Sequence, residues 1–217
     1  MPGLRHAALV PAACVLLLAG ALPSAHAAER NLPETVTVRD GRTSPPVVDI
    51  SAVKLRASWY YDSEQYVQVT VPNGYQPGHR LTVWFDLNGD STPDGHYVLE
   101  LRKPKRPGGE QLQSVQEFRL GGGWDGAGTR VRCSDGEGFP PFSGTRRGAR
   151  TVYLGLDLWW CLKTPNPVGS DPASTSGSWR VAVRVVKGRN SDMAPDHRTW
   201  SAPVAGWEAC HPEEDEC

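Results

Sequence analysis

In the run Tyr66-Val67-Gln68-Val69-Thr70-Val71 every second residue is valine, and a period of two recurs along most of the chain. Side chains on an extended strand alternate between its two faces, so this spacing puts one apolar and one polar face on each segment. Leu81, Val83 and Phe85 repeat it, as do Tyr97, Leu99 and Leu101, then Val152, Leu154, Leu156 and Leu158, and finally Val181, Val183 and Val185. Thr35 to Val38 reads as a short first strand, and Val48, Ile50, Val53 and Leu55 as the start of the first long one. Val115, Phe118 and Leu120 read as a strand with an irregularity, Arg130 to Cys133 as a short strand, and Ala202 to Trp207 as a last one. No window of a dozen residues carries a 3.6-residue period. Parallel strands need long crossovers, usually helical, and the chain has none to offer. The expected fold is all-β, an antiparallel β-sandwich of about eight to ten strands, one face of each strand turned into a shared core.

Composition sets the chain's surroundings. Arg5 followed by the apolar run Ala7 to Leu22 and by Ala25-His26-Ala27 has the layout of a secretory signal peptide over residues 1–27. The apolar run is interrupted by Pro11 and is short for a permanent span. Removal of Arg5 turns the formal charge of −1 into −2. No continuous basic stretch is visible, so nucleic acid is not an expected partner, and no later run is long and apolar enough to span a membrane. Residues 28–46 read as an exposed lead-in, 47–207 as the sandwich domain and 208–217 as an acidic tail. Arg-rich, Lys-poor composition, with Ile50 the only isoleucine, points to GC-rich coding and a bacterial source.

Cys14 falls in the leader, which leaves Cys133, Cys161, Cys210 and Cys217. An even count in an exported chain implies two disulfides with three possible connectivities. Sequence proximity favours Cys133–Cys161 and Cys210–Cys217. A four-cysteine zinc site would show paired C-x₂-C spacing, which is absent.

Asp86, Asn88, Asp90 and Asp94 stand at relative positions 1, 3, 5 and 9 in D-L-N-G-D-S-T-P-D, between two strand-like segments. Alternate oxygen donors on a tight loop suit calcium, which takes six to eight oxygens. The competing view is a plain hairpin turn, since Asn, Asp, Gly and Pro make such turns for backbone reasons alone. The stretch resembles the D-x-N-x-D calcium loops of EF-hand and dockerin-type modules. It departs from the EF-hand in the position of Gly89 and in having Tyr97 where a bidentate Glu belongs, so only the ligand roles carry over as an expectation.

Eight tryptophans are present, and a ring exposed on a sandwich can stack against a sugar. Trp124, beside Gly121-Gly122-Gly123, and Trp160 are the candidate ligand-binding residues. The glycine run is not a phosphate loop, because no G-K-[ST] follows. No nucleophile or metalloprotease motif is visible, and the mature histidines His79, His96, His197 and His211 are isolated. A glycoside hydrolase needs two facing carboxylates, for which Asp86 and Asp157 are the available pair.

Together the leader, V-V-D-I-S-A-V-K-L, the W-F-D-L-N-G-D-S-T-P-D-G-H-Y-V-L-E-L hairpin and the segment Leu156 to Cys161 resemble secreted β-sandwich proteins of high-GC Gram-positive bacteria that carry no assigned activity. The resemblance implies a non-catalytic extracellular module that meets a surface, a glycan or another protein and is held by disulfides and calcium. The alternatives are a carbohydrate-binding module and a secreted hydrolase.

Overall fold

The computed structural model describes residues 32–41, 44–57, 65–133, 141–156, 161, 178–196 and 198–205. The leader, Trp160, Asp157, His197, His211, Cys210 and Cys217 lie outside these residues.

Eleven strands are described: β1 (Thr35–Arg39), β2 (Ala52–Arg56), β3 (Gln65–Thr70), β4 (His79–Asp86), β5 (Gly95–Arg102), β6 (Gln113–Leu120), β7 (Thr129–Val131), β8 (Thr151–Leu156), β9 (Ser178–Lys187), β10 (Asn190–Ala194) and β11 (Val204–Ala205). One sheet has the order β1-β2-β3-β8; the other runs β10-β9-β4-β5-β6-β7, with β11 paired to the start of β9. Every pairing is antiparallel. The molecule is an all-β sandwich of two sheets, as the alternation predicts. Among the described residues no helix is long and apolar enough to cross a membrane.

The register explains the core. Val67 lies between Leu55 and Leu154 in the smaller sheet, and Val83 between Tyr97 and Val183 in the larger. These rows face one another and are fully buried, with Phe85 stacked on Phe118 at 6.0 Å between ring centroids. Burying each such side chain stabilises the fold by about 1.5–3 kcal/mol.

The strands depart from the expected pattern in four places. The first long strand, expected to start with Val48 and Ile50, is the short β2 beginning at Ala52, because the chain turns over residues 46–48, the Val48 N–H donating to the Pro45 carbonyl at 3.0 Å. β1 falls inside the stretch read as an exposed lead-in, yet it pairs with β2 and buries Val36. The irregularity expected near Val115 is absent: β6 pairs with β5 in unbroken register, and the inward position is taken by Gln116. Its amide is satisfied there, accepting from the Tyr97 hydroxyl at 2.6 Å and donating to the Phe142 carbonyl at 2.8 Å. β10 went unrecognised because N-S-D-M-A has no apolar alternation. Its inward Asp192 accepts the Ile50 N–H at 2.7 Å and the Ser44 hydroxyl, which clasps this edge strand to the segment entering β2.

Cys133 and Cys161 are joined as a disulfide, the pairing favoured by sequence proximity.

His79 is fully buried and wired as a neutral ring: Nδ1 accepts the Gln76 N–H at 2.7 Å and Nε2 donates to the Val47 carbonyl at 2.7 Å. Burial lowers its pKa, and burial followed by Arg119 lowers that of His96. Below the ordinary histidine value of 6.5 the unfolded chain therefore takes up protons that the folded chain refuses. The melting temperature is expected to stay flat above that pH and to fall as pH drops below it. A melting temperature that rises on mild acidification from neutral pH would overturn this.

Candidate binding site

The site begins with the hairpin between β4 and β5. Asp86, the last residue of β4, is fully buried. Its carboxylate accepts the Gly89 N–H at 2.7 Å, the Ser91 N–H at 3.1 Å and a charged hydrogen bond from Arg180 of β9, its register partner. Asp94 accepts the Leu87 N–H at 2.7 Å, and Asp90 accepts the Thr92 N–H at 2.7 Å. The Asn88 amide nitrogen donates to Asp90 at 3.2 Å and to Asp94 at 3.3 Å, filling the space between two of the expected calcium ligands. Burial pushes the Asp94 carboxyl up; the Leu87 N–H opposes this, and the neighbouring charges of Asp86 and Asp90 add to it. Among the described residues no three His, Cys, Asp or Glu side chains form a group able to hold a metal ion as arranged.

The hairpin's visible role is to orient aromatic side chains. Ser91 adopts a left-handed conformation, φ 70°, unusual for a residue with a Cβ. Its carbonyl accepts the Trp200 indole N–H at 3.2 Å, and its hydroxyl accepts from Arg180 at 3.4 Å. The Arg180 guanidinium sits 5.9 Å from the Trp200 ring centroid, within cation–π range. Trp200 packs against Trp124 at 4.8 Å, and Trp124 against Trp84 at 5.6 Å.

These three rings lie outside the core. Leu81, Val83 and Phe85 of β4 point into the sandwich, so Trp84 emerges on the outer face of the larger sheet, across from Ala182 and His96. Trp124 reaches over it from a 3₁₀ turn, Gly123–Asp125. That turn depends on Gly122: φ is 80°, and a Cβ there would lie 1.8 Å from the Ala127 carbonyl oxygen. The glycine run read as a loop break is thus the mount for Trp124. Trp84 is 5% exposed, and its indole N–H, like Nδ1 of the buried His96, has no hydrogen-bond partner among the described residues. A buried donor or acceptor left without a partner costs about 1–3 kcal/mol.

Beside the cluster lies a pocket of about 570 Å³, within the range of small-ligand sites. Trp84, Trp124 and Met193 form its apolar part, and Asp125, Asp196 and Arg198 are among its charged lining. Asp125 and Arg198, both exposed, pair at 3.4 Å in its lining. Arg184 also lines it.

Of the expected ligand-binding residues, Trp124 is at the site and Trp160 lies outside the described residues. Asp86 is enclosed and bound by Arg180, so it does not face solvent as a hydrolytic carboxylate would; its proposed partner Asp157 is not described. Sequence reasoning missed Trp84, Arg180, Arg184 and Trp200. The outward phase of Trp84 within T-V-W-F-D was the one available signal for it. The others announce themselves only through pairing. No family model, no curated protein and no solved structure was found to match the chain.

Proposed function

We propose that this protein is a non-catalytic extracellular ligand-binding module whose ligand occupies the pocket beside Trp84 and Trp124. One observation carries the proposal. Three tryptophans from separate parts of the chain are gathered on the outer face of a sheet whose core is already complete, beside a pocket with a charged rim. Core packing needs no such cluster, and exposed aromatic platforms are a recurrent means of recognition. The signal-like leader and the disulfide support an extracellular setting.

The acidic hairpin serves the module as a staple for Trp200. A calcium ion on Asp86, Asn88, Asp90 and Asp94 belongs to this proposal too. Burial is the main cause of the rise at Asp94, and the charges of Asp86 and Asp90 that add to it are what a cation would relieve; the Arg180 guanidinium pairs with Asp86. The Asn88 amide would have to turn to admit the ion.

Screening the secreted chain against a glycan array and a panel of extracellular proteins tests the main proposal. Trp124→Ala is expected to weaken a genuine hit at least tenfold, the typical cost of removing a central aromatic contact. Hits that survive Trp124→Ala unchanged would place binding elsewhere and remove this site from the proposal.

A further inference from the structure

The chemistry of the pocket's uncommitted side chains narrows the ligand. Most of its charged side chains are already engaged. Asp192 accepts the Ile50 N–H and the Ser44 hydroxyl, neutral donors that occupy its oxygens but leave its charge in place. Asp125 and Arg198 satisfy each other. Two charged side chains are left, Arg184 and Asp196, both exposed, and neither makes a side-chain hydrogen bond or ion pair among the described residues. One is a donor only and the other an acceptor only, and their charges cancel. An anionic ligand would meet the acidic excess left by Asp192, and a cationic ligand would leave the Arg184 donors without an acceptor. A hydroxyl group both donates and accepts, so a row of hydroxyls satisfies both. Trp124, half-buried, supplies the apolar surface that the C–H face of a sugar ring covers.

We propose that the pocket takes a neutral saccharide, its ring against Trp124 and its hydroxyls shared between Arg184 and Asp196, with the Asp125–Arg198 pair closing the rim. This rests on the ligand-binding proposal above and assigns it a ligand class.

The test measures tryptophan fluorescence of the full secreted chain on titration with soluble hexasaccharides: the neutral gluco-, xylo-, manno- and N-acetylglucosamine hexamers, with hexagalacturonate and spermine as charged controls. Binding of at least one neutral hexamer is expected. Arg184→Gln and Asp196→Asn should each weaken it about tenfold, as loss of a charge-assisted hydrogen bond does. Trp124→Leu, which keeps an apolar contact with Trp84, should weaken it by at least as much. Affinity should be unchanged between about 0.05 M and 0.5 M salt, because an uncharged ligand has no screened attraction to lose. Trp124-dependent binding confined to hexagalacturonate or spermine, with steep salt dependence, would overturn the assignment of a neutral saccharide and leave the pocket as the ligand site. No Trp124-dependent binding of any probe would overturn the saccharide assignment alone; absence of Trp124-dependent hits in the glycan and protein screen as well would overturn the ligand-binding proposal.

Discussion

Replacing Arg180 by alanine is expected to destabilise this protein by about 3 kcal/mol, among the largest effects of any single surface-proximal substitution here. Asp86 is fully buried, and the Arg180 side chain, 21% exposed, is its cationic partner. Removing the guanidinium leaves a carboxylate that two backbone N–H groups alone must hold in a low-dielectric site. For a domain of this size the melting temperature should drop by roughly 10 °C. Pairing Arg180→Ala with Asp86→Asn should recover part of the loss, because a neutral amide tolerates burial better than an unpaired charge. An unchanged melting temperature in the single variant would show that water or another cation replaces the arginine. The same scans test calcium. With about 1 mM calcium and a Kd near 10⁻⁴ M, the ion would add about 1.4 kcal/mol over chelated protein. Identical midpoints would remove calcium from the hairpin and leave Arg180 as the counter-ion of Asp86. Arg180→Ala should also weaken ligand binding, since the same guanidinium sits against Trp200, and Trp200 supports Trp124.

Loss of the Cys133–Cys161 bridge is the second large effect. The cysteines are 28 residues apart in sequence, and a loop of that length corresponds to about 3.5 kcal/mol of unfolded-state entropy in the chain-closure model. Cys133→Ser with Cys161→Ser should lower the melting temperature about as much as Arg180→Ala does. Reductant should have the same effect on the wild-type protein and little further effect on the double variant. Cys161 is fully buried and Cys133 packs against the core, so the bridge ties the segment after β7 to the body beneath. Equal stability of the reduced and oxidised protein would remove it as a staple.

The strands that the sequence disclosed are those with strong alternation, β3, β4, β5, β8 and β9, because burial of one face imposes a period of two wherever it occurs. Strands held by partners instead of apolar burial were hidden. β10 carries Asp192 inward, and that residue is acceptable there only because Ile50 and Ser44 reach it from another part of the chain. Gln116 misled in the same way, since its inward position is made tolerable by Tyr97 and Phe142. The acidic loop is the hairpin between strands that its residues allow, and its counter-charge, Arg180, was illegible in the loop because it comes from β9.

From the sequence alone follow the two-faced strands and an antiparallel all-β body, since both depend on local spacing and on hiding apolar surface; for Cys133 and Cys161 sequence proximity favoured one of three pairings, and the fold decided it. The binding site depends on strand order. Asp86 meets Arg180 across a separation of 94 residues, and Ser91 meets Trp200 across 109. A period of two says which side of a strand turns inward and nothing about which strand lies beside it. Only the folded sheet, by placing β9 against β4, sets Arg180 between an acid and an indole and so carries Trp200 to Trp124.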